Sequence, residues 1–141
     1  MNYYINTGFA LGGAFLSWFL GGLDGIMKVL VILVCVDYIT GIMKGFVLKR
    51  WNSEVGFHGI AKKVCMFLIV GIANVINHEM MSDSNALRDG IIMFFVANEG
   101  LSIAENAIEL GVPFPDALKE RFLSWHSKQH ISKNEPDPED E

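Results

Sequence analysis

Long apolar runs alternate with short polar connections along the whole chain. Residues 29–43, VLVILVCVDYITGIM, are almost purely apolar, with a single carboxylate, Asp37, near the middle and Lys28 and Lys44 at the ends. Such a run is either a membrane span or the innermost element of a soluble core, and its repetition along the chain favours the span. Residues 2–23, NYYINTGFALGGAFLSWFLGGL, carry no ionisable side chain except Tyr3 and Tyr4, and about 20 predominantly apolar residues suffice to cross a bilayer. Asn6 and Thr7 suit a helix start, and Tyr3, Tyr4 and Trp18 suit the two membrane interfaces. Continued in this way, the pattern predicts helices over about 5–22, 26–48, 60–77 and 90–110, with Gly111, Pro113 and Pro115 as the stop. A short amphipathic helix over about 116–127 follows, with Leu118, Phe122 and Trp125 on one side as an interfacial anchor. The expected fold is all-α: an integral membrane protein with three to four transmembrane helices. Residues 1–128 form one membrane-embedded domain, and 129–141 a disordered acidic tail.

Charge adds an orientation. Of 141 residues, 51% are hydrophobic and only 19% charged, against roughly 25% in soluble domains. The last eleven residues hold five of the sixteen acids, so the net charge of −5 belongs largely to the tail. Nine of the eleven basic residues fall either between Lys44 and Lys63 or after the fourth helix, and only Lys28 and Arg88 lie in the other two connections. Lys and Arg stay on the cytoplasmic side of a membrane, so four crossings would leave both termini in the cytoplasm. The N-terminus lacks the basic start of a secretory signal, and the chain is expected to enter the membrane by its own spans. There is no basic stripe for nucleic acid.

Candidate chemistry is sparse. Cys35 and Cys65 sit in apolar runs and read as small space-fillers. His58, His78, His126 and His130 share no metal-ligand spacing, and HEMM at 78–81 is not HExxH. No nucleophile motif, phosphate loop or CxxC is present, so neither a cofactor nor an enzymatic activity is expected.

The informative residues are polar ones in apolar surroundings. In ANEGLSIAENAIEL, Asn98, Ser102, Glu105, Asn106 and Glu109 share an arc of about 100° on a helical wheel, with Glu99 at its edge. A mid-depth carboxylate costs about 2.5–3.5 kcal/mol on insertion scales. This stripe must therefore face another helix, another subunit or water, unless the helix is a soluble one with an ordinary solvated face. Asp37 can line a wet lumen, pair with Lys44, be neutral and hydrogen-bonded, or make a contact between helices or subunits; the last is preferred. Gly8 and Gly12, then Gly13, Ser17 and Gly21, then Gly41 and Gly45 are spaced four apart. Small residues at that spacing let helices approach closely in lipid.

Three blocks in order, VDYITGIMKG, WNSEVGFHGIAKKV and NEGLSIAENAIELGVPFPDALKE, resemble the toxin-secretion and phage-lysis holin family over roughly residues 20 to 122. The matching positions include Asp37, Thr40, Gly41, Ser53, Gly56, Gly59, Lys63, Asn98, Glu99, Ser102, Glu105, Asn106, Gly111, Pro113, Pro115 and Leu118. The resemblance implies a small protein of the bacterial cytoplasmic membrane. Its copies would assemble with one another into lesions that release an endolysin or a toxin, and none of the matched residues would be catalytic. The implied partners are the lipid bilayer and the chain itself, with a functional link to an endolysin or toxin and none to nucleic acid. The rival readings are an antiholin or membrane adaptor that restrains a holin, and a peripheral helical interaction module.

Overall fold

The computed structural model describes residues 2–49, 53–81, 84–117 and 119–120. Four helices follow one another: α1 (Asn2–Leu20), α2 (Gly25–Val47), α3 (Ser53–Met80) and α4 (Ala86–Glu109). Among the described residues there is no strand. Three helical segments are long and apolar enough to cross a membrane: Gly25–Val47, Gly56–Met80 and Ala86–Glu109. The apolar part of α1, Ile5–Leu20, is shorter.

The third helix departs most from the sequence pattern. It begins at Ser53 rather than near residue 60, and runs on to Met80. The pattern treats Lys62 and Lys63 as the mouth of a span, but they lie two to three turns inside the helix, where Lys63 has protein partners. Of the short helix expected at 116–127, the structure describes residues 116, 117, 119 and 120 as helical. Leu118, Phe122, Trp125 and the tail at 129–141 lie outside the described residues.

The closest pairing is α2 with α4; α3 packs on α4, and α1 touches α3. A small core of Met27 and Leu30 from α2, Met66 and Val70 from α3, and Ile92 from α4 joins the three spanning helices. Large apolar side chains such as Phe9, Phe46, Ile72 and Phe94 are exposed around it. In water such a surface would be an aggregation hazard, whereas in a bilayer it is the surface that meets acyl chains.

The end of α1 shows how the backbone is satisfied. A helix leaves its last four carbonyls without intrahelical partners. Here Gly22 N–H donates to Ser17 C=O (2.7 Å) and Gly21 N–H to Trp18 C=O (3.2 Å), with Gly21 at φ +77°. That is a Schellman cap, which favours glycine at the left-handed position. Asn74 Nδ2 of α3 donates to Trp18 and Phe19 C=O, and Arg88 Nε of α4 donates to Leu20 C=O. All four carbonyls thus have partners. Gly111, at φ +86°, repeats the cap after α4, with Val112 N–H donating to Ala107 C=O and Gly111 N–H to Ile108 C=O. The α1–α3 contact is close because Gly71 has no side chain: a Cβ there would overlap the Phe19 ring.

At Gly21 a Cβ would meet both a left-handed backbone and the side chains of Asn74 and Arg88. Gly21→Ala should therefore destabilise the fold by about 1–3 kcal/mol. Gly22→Ala tests the backbone alone, since φ is +87° there but no atom lies within 4 Å of the added Cβ. Thermal unfolding in detergent should rank wild type above Gly22→Ala above Gly21→Ala; the reverse order for the two variants would contradict the close packing around Gly21.

Candidate functional site

Polar side chains on α2, α3 and α4 converge inside the bundle. Asp37 stands near the middle of α2, Lys63 on α3 and Glu99 near the middle of α4. The Lys63 ammonium donates to Asp37 Oδ2 at 2.8 Å and to Glu99 Oε2 at 2.5 Å. Asn106, two turns beyond Glu99 on the same face of α4, donates from Nδ2 to Asp37 Oδ1 at 3.2 Å and to Thr40 Oγ1 at 3.1 Å. Glu99 is 5% exposed and Asn106 6% exposed. A hydroxyl, an amide, two carboxylates and one ammonium thus form a single network linking three helices. The three ionisable groups are one amine and two carboxyls.

Partners are what make the network tolerable. An isolated charge in an apolar medium is prohibitively costly, while a paired and hydrogen-bonded one is not. Lys63 provides the countercharge, and the flat amide of Asn106 bridges the remaining Asp37 oxygen to Thr40. Nearer the C-terminal end of α4, Lys44 Nζ pairs with Glu109 Oε1 at 3.2 Å, part-exposed. Lys44 is therefore the partner of Glu109, while Asp37 pairs with Lys63.

The stripe on α4 divides. Glu99 and Asn106 face the network and Glu109 meets Lys44. Asn98 is exposed, and Ser102 and Glu105 are half-buried; among the described residues none of these three has a hydrogen-bond or ion-pair partner. Of the small residues, Gly41 lies against Asn106, 3.8 Å from where its Cβ would be, and Gly45 is half-buried farther along α2. Gly8, Gly12 and Gly13 have nothing within 4 Å of an added Cβ within one chain. Ser17 lines a cleft of about 650 Å³ between α1 and the end of α3, with Trp18, Asn74 and His78.

A second polar centre, at the opposite end of α4 from Glu109, was not legible as a site. Arg88 is 1% exposed. Besides Leu20 C=O, it donates to Asp24 Oδ2 (2.7 Å), Asp89 Oδ1 (3.0 Å) and Gly22 C=O (3.4 Å). A guanidinium suits this role because its donors form a rigid planar fork, and its charge lies against the C-terminal, partially negative end of α1. Asp24 also caps α2 by accepting from Met27 N–H at 3.0 Å. The hydrogen bond from Arg88 holds the Asp24 carboxyl below the usual carboxylate range, against the opposing effect of its desolvation and helped by the Met27 N–H. The available signal was a lone arginine at the mouth of an apolar run, with a lone aspartate at the matching end of another.

Both centres can be tested through stability. A carboxylate whose folded value is depressed stabilises above its unfolded pKa, about 3.9 for Asp, and loses that contribution as pH falls through the lower folded value. The unfolding midpoint should thus drop on acidification from about pH 5 to about pH 3, and Asp24→Asn should make this drop smaller. Removing one partner of a buried ion cluster costs about 3–5 kcal/mol, while a neutral replacement of the whole cluster can be tolerated. Lys63→Met should lower stability by that amount, and adding Asp37→Asn and Glu99→Gln should restore most of it. Equal stability of the single and triple variants would show that the charges are not coupled.

Comparison with known proteins places the chain in a family. Residues 14–126 match the bacteriophage holin family. A probable holin of Bacillus phage phi105 is 33% identical over 96 residues, 68% of this chain and 70% of that protein. An uncharacterized protein of Listeria monocytogenes is 37% identical over 116 residues, 82% of each chain. An uncharacterized 14.9 kDa protein of Clostridium perfringens is 32% identical over 126 residues, 89% of this chain and 96% of the relative. No solved structure matches.

Proposed function

The chain belongs to the bacteriophage holin family, and on that footing we propose that it assembles in the bacterial cytoplasmic membrane into lesions through which an endolysin or a toxin leaves the cell. The observation that supports this reading most is the polar network of Asp37, Lys63, Glu99 and Asn106 inside helices otherwise sheathed in apolar side chains. One copy satisfies these groups internally and can reside in the bilayer without opening a path for water. Many copies together can rearrange so that water takes over the same partners, and the network becomes the wall of a hydrated opening. No step of this mechanism requires a catalytic group or a cofactor.

The arrangement of charge supports an orientation. The connection after α2 and the chain after α4 face the cytoplasm, where lysines and arginines accumulate. The α1–α2 turn, with the Arg88 clamp, lies on the outer side. α1 has 19 residues, about 28 Å at 1.5 Å per residue; it crosses the membrane as a fourth, short span, and both termini are cytoplasmic. The basic residues beyond Asp116, together with Leu118, Phe122 and Trp125, hold the end of the chain on the inner, anionic surface.

The test is release of size-graded fluorescent dextrans from liposomes as protein density rises. Leakage should appear steeply with density, with the Asp37→Asn/Lys63→Met/Glu99→Gln variant inserting but leaking less. Absence of leakage at every density would sink the lesion. Expression of the chain alone in a bacterial host should depolarise the membrane; an antiholin would leave the cells intact.

A further inference from the structure

The division of the α4 stripe leaves one polar group in an improbable place for a single copy. Asn98 stands twelve residues into the 24-residue α4, about 18 Å along its length at 1.5 Å per residue, and so near mid-bilayer. It is exposed, and its helical neighbours on that side are Phe94 and Leu101, 66% and 39% exposed. Residues at i−4, i+3 and i+4 lie beside i on a helix surface, so the amide is bordered by exposed apolar side chains on one side and by the half-buried Ser102 on the other. Glu99 and Asn106, by contrast, have found partners inside the bundle. Glu105 and Ser102 lie on the same side as Asn98 but nearer the C-terminal end of α4, and both are half-buried.

We infer that Asn98 is the point at which α4 of one copy meets α4 of a second, amide against amide. This rests on the proposed lesion-forming role and adds the contact that pairs copies; a two-fold contact closes at two, so the lesion is built from such pairs. Copies inserted in the same orientation are related by an axis along the membrane normal, so a two-fold contact brings the same residue from each copy to the same depth. An amide is its own complement, because its NH₂ donates to the carbonyl of its twin while its carbonyl accepts in return. A carboxylate is not: Glu105 opposite Glu105 requires water between them. Glu105 lies four residues before the end of α4, where water reaches it from the membrane surface. The contact is accordingly dry and sealed at Asn98, with Phe94 and Leu101 around it, and wet towards Glu105.

The experiment uses the full chain with Cys35 and Cys65 replaced by serine, reconstituted in liposomes. Asn98→Cys is compared with Met93→Cys, which is exposed on a different face of α4. Oxidation should yield several-fold more disulfide-linked dimer from Asn98→Cys than from Met93→Cys. Glu105→Cys should react with a membrane-impermeant thiol reagent several-fold faster than Asn98→Cys in assembled protein. Asn98→Leu, which removes the amide but keeps the number of side-chain heavy atoms, should raise several-fold the protein density at which dextran leakage begins. Equal dimer yields from Asn98→Cys and Met93→Cys, or an unchanged leakage onset in Asn98→Leu, overturn the contact while wild-type leakage leaves the lesion standing. Disulfide-linked dimers of Asn98→Cys in a protein that never leaks would instead retain the contact and remove the lesion.

Discussion

A polar group inside a bilayer must be satisfied by protein or by water that the protein admits. Lipid offers neither donors nor acceptors, so each unpaired group costs several kcal/mol. In this chain the constraint acts at both levels of structure. It selects helices, which close their own backbone hydrogen bonds, and it then dictates where the polar side chains on those helices go. The Asp37–Lys63–Glu99 cluster and its Asn106–Thr40 extension answer it in the middle of the bundle. The Arg88 and Asn74 contacts answer it at one end, where the last carbonyls of α1 require donors.

These two centres have different consequences. The contacts of Arg88 and Asn74 are mostly with backbone and with a capping aspartate, and they tie α1, the α1–α2 turn, α3 and α4 into one piece. Interactions of that kind hold geometry. The central cluster links three separate helices through side chains alone, with two carboxylates for one ammonium. A network of this composition has a second way to be satisfied, by water, and a change of partners costs less than breaking backbone hydrogen bonds.

The packing between helices is thin. The buried apolar core is a handful of side chains around Met27, Leu30, Met66, Val70 and Ile92, and most large apolar residues face outward. In lipid there is no hydrophobic drive to bring helices together, and polar contacts and close approach carry association instead. Gly71 beneath Phe19 supplies the close approach within one copy, whereas a Cβ at Gly41 would only touch Asn106 at an ordinary 3.8 Å. Gly8, Gly12 and Gly13 on α1 make no such contact within the chain.

Hydropathy alone determined the all-helical class, the order of the four helices and the presence of spans, because long apolar runs have one stable form in lipid. The local code also marked the stop at Gly111 after α4, since a cap depends on near neighbours, but it misplaced the starts of α1, where Asn6 and Thr7 lie inside a helix that begins at Asn2, and of α3, which begins at Ser53. Periodicity picked out the polar arc on α4 as something that could not face acyl chains. Only the tertiary structure decided how that arc divides, with Glu99 and Asn106 turned inward and Asn98 left outward. It alone decided that Asp37 pairs with Lys63 rather than with Lys44, and that Arg88 is a buried clamp. The reason is physical: these pairings join residues 26 to 69 positions apart, and which carboxylate reaches which cation is set by the rotation of each helix about its own axis, a quantity that one helix read by itself does not contain.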